Sequence, residues 1–423
     1  MKNHPTPTKR YPLLKILLMA STSMIFTSSF SANAEEADSL VDALTGGKAY
    51  LDERLRLETV NEDAKALNGT ATTLRTKFGY KTGVFKGLSG VIEFEHSAEL
   101  AGGDYNNGIN GKGTYPAIID ANHTEVNQAY LAYTGIDKTT IAAGRQAINL
   151  GNQRFVGTVG WRQNDQTYDA VAIINQSIKD LTAVYGYVWN VNRIFGNDHP
   201  MGDLKTKTHV LNASYKGIKG LTIEAYGLMI NLDALGAKGL NTKTFGLRAS
   251  GAQALDGGTK ILYAAEYATQ SDYKINPTSF TAAYYNVEAG VGYKGLTAKV
   301  GLETLGSDNG LIAFTTPLAT LHKFNGWADK FLGTPANGLR DVYGTVVYSI
   351  KGTESAMDGT NFAVVYHDFK SDFGDVHYGS EWDVSVSKKI FNRYNLLLKY
   401  ANYNADTWSS NTKKFWVQVT AKF

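Results

Sequence analysis

The sequence predicts an all-β protein, a transmembrane antiparallel up-and-down β-barrel of about 18 strands that follows a cleaved signal peptide. Three observations lead to this fold class. The first 34 residues have the composition of an export signal. The later residues alternate between apolar and polar side chains with a period of two. The connections between the alternating segments are in turn long and short, which an up-and-down barrel explains and a soluble β-sandwich does not.

The export signal has three recognisable parts. A positively charged beginning is followed by an apolar and small-residue stretch at 16–30 and by an A-x-A cleavage site that ends at Ala34. The cations are Lys2, Lys9, Arg10 and Lys15. Because the stretch is too short to span a bilayer, a retained anchor helix is the weaker alternative. We therefore expect a signal peptide at 1–34 and one barrel domain at 35–423, in the outer membrane of a Gram-negative bacterium.

Removing the signal changes the charge of the chain. The formal net charge of +3 becomes −1, because the signal carries four cations and no acid. The mature surface is then not globally basic, and no nucleic acid is expected as a partner. The chain has no cysteine, so it has neither disulfides nor thiolate metal sites. Beyond the signal, no apolar run approaches the roughly 18 residues that a membrane helix needs.

Three consecutive segments, at 50–60, 72–81 and 88–96, show the alternation most clearly. In each, large apolar residues occupy one face and charged residues occupy the other. A membrane barrel is apolar outside and polar inside, so we expect the charged face to line the lumen. The pore-lining candidates from these segments are Arg54, Arg56, Arg75, Lys77, Glu93 and Glu95.

The same alternation continues to the end of the chain. Further strands are expected to begin near Thr124, Thr139, Thr167, Leu181, Thr206, Leu221, Asn241, Lys260, Thr281, Leu296, Arg340, Asn361, Val376, Arg393 and Thr412. With the first three they make about eighteen, an even number as bacterial barrels have. The longer, outward connections are 61–69, 100–122, 150–166, 190–205, 231–240, 271–279 and 305–339. Between them lie short turns such as 83–87, 135–138, 216–220 and 294–295.

The last segment ends on an aromatic residue. One of its faces consists of Phe415, Val417, Val419, Ala421 and Phe423. This pattern resembles the C-terminal signal of outer-membrane barrels, so we expect the barrel assembly machinery, outer-membrane lipid and lipopolysaccharide as partners. Aromatic residues near strand ends are expected to form interfacial girdles. These are Tyr185, Tyr187, Trp189, Tyr400, Tyr403, Trp408 and Trp416.

Arginine is concentrated in one place. Three of the ten arginines that follow the signal, Arg145, Arg154 and Arg162, lie within eighteen residues at the end of the fifth strand and in the following loop. Asn164 and Asp169 come shortly after them. Arginine suits a carboxylate-binding pore, because its planar fork donates two parallel hydrogen bonds and stays charged.

The segment that contains these arginines resembles the alginate export family of outer-membrane barrels. The resemblance rests on G-R-Q at 144–146, R-F-V-G at 154–157, W-R-Q-N at 161–164, T-Y-D at 167–169, and a second stretch at 322–329 that continues to 338–339 and 341. It implies a monomeric barrel of eighteen strands that exports an anionic polyuronate. By this analogy Arg145, Arg154 and Arg162 would line a constriction and pass carboxylates along. Their expected partners are Asp169 and either Glu93 or Glu95.

Alternatives remain for the arginines, for the cargo and for one loop. The arginines could be neutralised by lumen carboxylates and simply stiffen an infolded loop. A general diffusive porin would instead pass small anionic or sugar-like solutes. The aromatic loop at 305–339 could stack on sugar rings or close the mouth, but self-packing outside the barrel is the favoured expectation.

An enzyme belongs to a different class and is not favoured. The mature histidines form no H-E-x-x-H motif, and no serine sits in a G-x-S-x-G motif. We therefore assign no catalytic residue, no metal ligand and no cofactor. An outer-membrane hydrolase and a purely structural barrel are the less favoured classes.

Overall fold

The computed structural model describes residues 36–233, 235 and 238–423. The expected signal peptide and its cleavage site lie outside these residues. The described chain is nearly all β, with one short helix, α1 (Leu40–Thr45), and twenty strands. No helix in this part of the chain is long and apolar enough to cross a membrane.

Eighteen of these strands form a single sheet. Its strands are β1 (Lys48–Glu62), β2 (Gly69–Lys81), β3 (Leu88–Asp104), β4 (His123–Ile136), β5 (Thr139–Gln146), β6 (Thr167–Asn175), β7 (Leu181–Asn192), β8 (Asp203–Ile218), β9 (Leu221–Ile230), β10 (Thr242–Ala254), β11 (Thr259–Asp272), β12 (Thr281–Tyr293), β13 (Leu296–Leu305), β16 (Leu339–Ser349), β17 (Thr360–Lys370), β18 (His377–Ile390), β19 (Tyr394–Ala405) and β20 (Thr412–Lys422). The other two, β14 (Ser307–Asp308) and β15 (Ile312–Ala313), form a small separate hairpin.

The sheet closes on itself as an up-and-down barrel. Each sheet strand pairs antiparallel with the next one along the chain, and β1 pairs antiparallel with β20. At the seam the backbone of Phe423 donates to and accepts from Leu51, with N···O distances of 2.9 and 3.1 Å. The predicted fold class is therefore confirmed, and every expected strand starts within three residues of an observed one.

The two faces of the wall agree with the predicted alternation. On β1, Arg56 and Glu58 are each 1% exposed, whereas Leu55 on the opposite face of the strand is 43% exposed. On β2 the same contrast holds between Lys77 and Phe78. Side chains that point into a wide water-filled lumen would be exposed. Their burial shows that other parts of the chain occupy the lumen.

Two long connections fold inward and fill this space. They are the first infolded loop, 147–166, between β5 and β6, and the second infolded loop, 306–338, between β13 and β16. The loops meet where Val156 and Leu318 form an isolated β-bridge. The connections at the opposite rim, such as 137–138, 219–220 and 294–295, are short turns.

The expectation that the aromatic loop packs on itself outside the barrel is wrong. Phe314 is fully buried, and the ring centroid of Phe331 lies 4.4 Å from that of Phe369 on the inner face of β17. The lumen wall offers aromatic and charged partners to this loop. Contact with them removes the apolar surface of its aromatic residues from water, which stabilises the inward position.

Part of the expected aromatic girdle also lies inside the barrel. Tyr403 and Trp416 are fully buried, and Trp408 packs against the interior cluster around Phe331. The alternation along β20 explains the position of Trp416, because this residue shares the inner face of the strand with Lys414 and Gln418. Tyr185, Trp189 and Tyr400 do face outward, each more than a third exposed.

Candidate functional site

The candidate site is the region where the two infolded loops meet the inner wall of the barrel, and we name this region the constriction. Glycine allows the loops to pack closely against each other and against the wall. A Cβ atom at Gly157 would lie 2.2 Å from Oγ1 of Thr320, and one at Gly326 would lie 2.4 Å from Oε2 of Glu381. Gly326 also has a φ of +86°, which glycine adopts without strain. These residues let each loop lie flat against its neighbour.

Arg162 joins the first infolded loop to three other parts of the molecule. Its Nη1 donates to Oε2 of Glu58 on β1 at 3.0 Å and lies 3.7 Å from Oδ2 of Asp120. Its Nη2 lies 3.4 Å from Oδ2 of Asp329 on the second infolded loop. Burial alone would lower the pKa of Arg162, but these carboxylates outweigh it and raise the pKa above its usual value. The arginine therefore stays charged and links the first infolded loop to the wall and to the second infolded loop.

Arg154 links the first infolded loop to a different part of the wall. Its Nε donates to Oε1 of Glu303 on β13 at 2.8 Å, and its Nη2 donates to Oδ1 of Asn325 at 2.9 Å. The hydroxyl of Tyr284 also donates to Glu303, at 2.6 Å. Glu303 was not among the residues predicted from the sequence, because no local pattern links Arg154 to a residue that lies so far from it along the chain.

Arg145 lies at the base of the first infolded loop. Its Nε donates to Oδ1 of Asp169 at 2.8 Å, which is the partner expected from the sequence. A second donor, Nη1, reaches the carbonyl oxygen of Val126 at 2.9 Å. This side chain is 25% exposed, against 2% for Arg154 and 8% for Arg162. The three predicted arginines therefore do not form one cluster.

Glu93 and Glu95 are not partners of the three arginines, which corrects the expectation. Glu93 accepts hydrogen bonds from Tyr50 at 2.6 Å and Asn127 at 2.7 Å. Glu95 lies 3.3 Å from Nζ of Lys77, its direct partner in the register of β2 and β3. Both acids are therefore bound by groups other than the three arginines, and Oε2 of Glu95 also accepts from the N–H of Asp165 on the first infolded loop at 3.0 Å.

Arg54 and Arg56 hold the first infolded loop by its backbone. Nη1 of Arg54 donates to the carbonyl oxygens of Trp161 and Arg162 at 3.1 and 3.0 Å. Nη2 of Arg56 donates to the carbonyl oxygen of Trp161 at 2.6 Å, and its guanidinium carbon lies 4.1 Å from the centre of the indole ring. Within the described residues, no carboxylate lies within 4 Å of Arg54.

Arg75 and Lys77 bind the next part of the same loop. Lys77 donates to Asp165, and Nη1 of Arg75 lies 3.9 Å from the same carboxylate. Burial would raise the pKa of Asp165, but Lys77 and Arg75 outweigh it and lower the pKa below its usual value. Asn164 is fully buried, and its Nδ2 donates to the carbonyl oxygen of Arg193 at 3.4 Å.

The structure also contains a lysine enclosed by tryptophans, which was not predicted from the sequence. Nζ of Lys399 on β19 lies 4.1 Å from the ring centre of Trp161, 3.8 Å from that of Trp327 and 5.3 Å from that of Trp416. The rings come from both infolded loops and from β20, and each presents its electron-rich face to the ammonium group. The two resemblance stretches gave a hint of this group, because the first contains Trp161 and the second contains Trp327. We name it the tryptophan cage.

His322 completes the cage from the second infolded loop. Its Nε2 lies 2.7 Å from Nζ of Lys399, and its Nδ1 lies 2.7 Å from Oδ1 of Asp329. Its ring stacks on Trp161 with 4.4 Å between centres. Burial lowers the pKa of His322 to about 3, although Asp329 acts in the opposite direction. The neutral ring therefore donates from Nδ1 to the carboxylate and accepts at Nε2 from the ammonium group.

Two buried acids on β18 hold the second infolded loop by its backbone. Oε1 of Glu381 accepts from the N–H of Ala328 at 2.6 Å, and Oδ2 of Asp383 accepts from the N–H of Trp327 at 3.1 Å. The wall thus holds carbonyl groups of the first infolded loop with Arg54 and Arg56, and N–H groups of the second with these two acids. In the described part of the chain, no set of three histidine, cysteine or acidic residues is arranged to bind a metal ion.

Comparisons with known proteins agree with this architecture. The model of the alginate export family matches residues 51–302. Similar solved structures include OccAB3 of Acinetobacter baumannii, at 14% identity and a TM-score of 0.70 over 90% of this chain and 100% of that one. OpdK of Pseudomonas aeruginosa with vanillate has 14% identity and a TM-score of 0.71 over 90% and 99%. OpdO of the same species has 10% identity and a TM-score of 0.71 over 90% and 98%. These likenesses show the fold, and no curated protein matches the chain.

Proposed function

The chain belongs to the alginate export family, whose model matches more than half of it, and we propose that this outer-membrane channel passes anionic polysaccharide or other anionic solutes through an arginine-lined constriction. The fold and the family are those of an outer-membrane channel, which is a non-enzymatic class. The nature of the cargo and the role of the arginines are the proposal.

The inward folding of the first infolded loop onto a cationic part of the wall carries the proposal. Arg54, Arg56, Arg75 and Lys77 lie on neighbouring strands, and the first infolded loop brings Arg162 against them. An anion that enters the lumen is attracted to such a group of cations, because low-dielectric walls strengthen their combined field. The constriction is therefore where an anionic cargo would be selected.

The pairing of these cations with protein groups is compatible with transport. A pore must bind its cargo well enough to admit it and weakly enough to release it. Arg54 donates only to backbone carbonyls, so an incoming carboxylate competes there with weaker acceptors than a carboxylate. At Arg162 the cargo competes with Glu58 and Asp329. We infer that Arg54 makes the strongest contact with cargo and Arg162 the more transient one.

A related fold accommodates a carboxylate in another protein. The structure of OpdK contains vanillate, an aromatic carboxylate. A barrel of this architecture is thus compatible with a small organic anion, which supports the broader form of the proposal for this chain. The narrower form, export of an acidic polysaccharide, rests on membership of the alginate export family.

One observation favours a general diffusive porin as the second candidate. Arg145, Arg154 and Arg162 each pair with at least one carboxylate, so their charges are neutralised locally. The wall of the lumen also carries acids such as Glu381 and Asp383. A constriction whose charges balance would discriminate little between small anions and neutral solutes.

Ion selectivity separates the two candidates. The refolded barrel is placed in a planar bilayer with a salt gradient, and the reversal potential is measured for the wild type and for Arg54→Gln, Arg56→Gln and the triple change of Arg145, Arg154 and Arg162 to Ala. We expect anion preference in the wild type and its loss in Arg54→Gln. Wild-type current without anion preference would support the diffusive porin instead.

Three further expectations from the sequence are part of the proposal. We propose that export uses a signal peptide cleaved after Ala34, that the barrel assembly machinery recognises the terminal strand, and that lipid and lipopolysaccharide surround the barrel. The outward Phe415 and Phe423 on that strand support the second point. Mass spectrometry of the protein purified from the outer membrane tests the first, since a mature chain should begin at Glu35.

A further inference from the structure

The short helix α1 lies against the outer surface of the barrel. The side chain of Tyr80 on β2 points outward, because Arg75, Lys77 and Gly79 occupy the inner positions of this strand. Its hydroxyl donates to the carbonyl oxygen of Leu44 at 2.5 Å and accepts from the N–H of Gly47 at 3.0 Å. The end of the helix and the chain that follows it therefore lie over the lipid-facing side of the β1–β2 pair.

The beginning of the same segment is fixed to the rim of short turns. The N–H of Ala37 donates to the carbonyl oxygen of Val84 at 2.8 Å, and the N–H of Gly83 donates to that of Ala43 at 2.8 Å. Ala43 is the buried residue of the helix, at 3% exposure. Ser39 caps the helix by accepting from the N–H of Asp42 at 3.1 Å. The helix is thus held in a defined orientation by both of its ends.

This orientation leaves an apolar face that is more than half exposed among the described residues. Leu40, Val41 and Leu44 are 54%, 65% and 52% exposed, among the described residues. They lie at positions that share one side of a helix, whereas Asp42 lies away from them. The described residues leave more than half of each of these three side chains exposed, although a soluble surface would favour polar residues here.

The apolar face is continuous with the lipid-facing belt of the barrel. Phe78 on β2, Leu88 on β3 and Tyr133 on β4 point outward next to the helix or to the turn that holds it, and each is at least 40% exposed. Tyr80 belongs to the same outward set, and tyrosines at this level mark the boundary between hydrocarbon and headgroups. The belt and the helix therefore face the same surroundings.

We propose that α1 is an interfacial anchor, whose Leu40, Val41 and Leu44 insert into the phospholipid leaflet at the short-turn rim. An apolar helical face of this kind lies some 5–10 Å deep at the boundary between headgroups and acyl chains. The anchor fixes the height of the barrel in the membrane at the β1–β2 pair, of which β1 carries Arg54 and Arg56. It acts independently of the cargo of the channel.

Site-specific fluorescence tests the proposal without interference from native thiols, because the chain has no cysteine. Val41→Cys and, as the matched control one position along, Asp42→Cys are exported, purified from the outer membrane and labelled with a polarity-sensitive fluorophore. The labelled barrels are reconstituted in phosphatidylcholine vesicles that carry a nitroxide just below the headgroup. We expect about twofold or greater quenching at residue 41 relative to residue 42. Equal quenching at the two positions would overturn the proposal.

A second variant covers the case in which the label at residue 41 disturbs the helix. Leu44→Cys should be quenched like Val41→Cys, and Leu40→Ser introduced into either should reduce the quenching while the barrel keeps its heat-modifiable mobility. Quenching that is unchanged by Leu40→Ser would contradict the anchor. A blue shift that occurs in outer-membrane fragments but not in pure phospholipid vesicles would also contradict it and would indicate a protein partner.

Discussion

At the scale of single residues, the constriction is organised by ion pairs that cross from one part of the chain to another. Arg162 contacts carboxylates on β1, on the 105–122 connection and on the second infolded loop. Such pairs are expensive to break one partner at a time, because the remaining charge is left buried. Substitutions here should therefore act on the position of the loops.

Arg162→Ala should release the first infolded loop. The change leaves Glu58, Asp120 and Asp329 facing one another without their shared cation, at a cost of about 3–5 kcal/mol for a broken buried pair. Because this arginine lies on a loop, we expect higher and noisier single-channel conductance with little change in the thermal unfolding temperature. Arg340→Ala, at an exposed rim pair with Asp375, is the control and should behave like the wild type. Unfolding of the barrel at a lower temperature without a change in conductance would be inconsistent with this account.

His322 should make the docking of the second infolded loop dependent on pH. Its pKa is about 3 in the docked loop and is expected near 6.5 when the loop is released. The released loop then binds more protons, so docking loses up to about 1.4 kcal/mol for each pH unit below 6.5. We expect conductance to rise from pH 7 to pH 5 in the wild type and to stay level in His322→Gln. A level response in the wild type would contradict the prediction.

At the scale of elements, the strands were predictable from the sequence and the infolded loops were not. Alternation and turn spacing locate the start of β5 at Thr139 and of β12 at Thr281, because each strand obeys a local rule. The loops obey no such rule. Their direction depends on pairs such as Arg154 with Glu303, which join distant positions and become visible only when the barrel is closed.

The same reasoning explains which site residues were found. Arg54, Arg56, Arg75 and Lys77 face the lumen as the period of two predicts. Lys399 obeys the same period on β19, but a single lysine is not conspicuous without the three tryptophans that surround it. The sequence therefore showed which side chains point inward and did not show which of them meet.

A disulfide between the two loops tests whether the docked arrangement is the conducting one. Val156 and Leu318 are bridge partners, and the N–H of Gly157 donates to the carbonyl oxygen of Leu318 at 2.9 Å, so cysteines at 156 and 318 lie within bonding reach. We expect the oxidised double variant to retain its conductance and selectivity. The single variant Val156→Cys is the control for the substitution itself. A channel that is silent when oxidised and recovers on reduction would show that the loops must leave the lumen.

At the scale of the whole molecule, the barrel depends on closure between its first and last strands. Phe423 contributes two backbone hydrogen bonds to this seam and is 54% exposed on the outer surface. A barrel removes both sheet edges only if the seam forms, and an open edge favours aggregation. The alternation of long and short connections made this closed form predictable from the sequence.

Deletion of Phe423 should reduce the amount of folded barrel in the outer membrane. The change removes both seam bonds to Leu51 and the terminal aromatic side chain. We expect several-fold less heat-modifiable protein in the membrane fraction. Phe391→Ala, which removes an 85% exposed aromatic residue from a turn, is the control and should assemble normally. Equal yields for the deletion and the control would argue against a role for the terminus in assembly.

Block of single-channel current by a charged oligosaccharide is the decisive measurement for the proposal that this barrel is a channel for anions. The purified barrel is inserted into a planar bilayer, and short oligouronates or neutral oligosaccharides of equal length are added to one side. We expect the oligouronate to cause brief, concentration-dependent interruptions of the current, which become shorter in Arg54→Gln, and we expect no interruption by the neutral sugar at the same concentration. Equal block by both sugars, or a wild-type barrel that carries no current, would contradict the proposal.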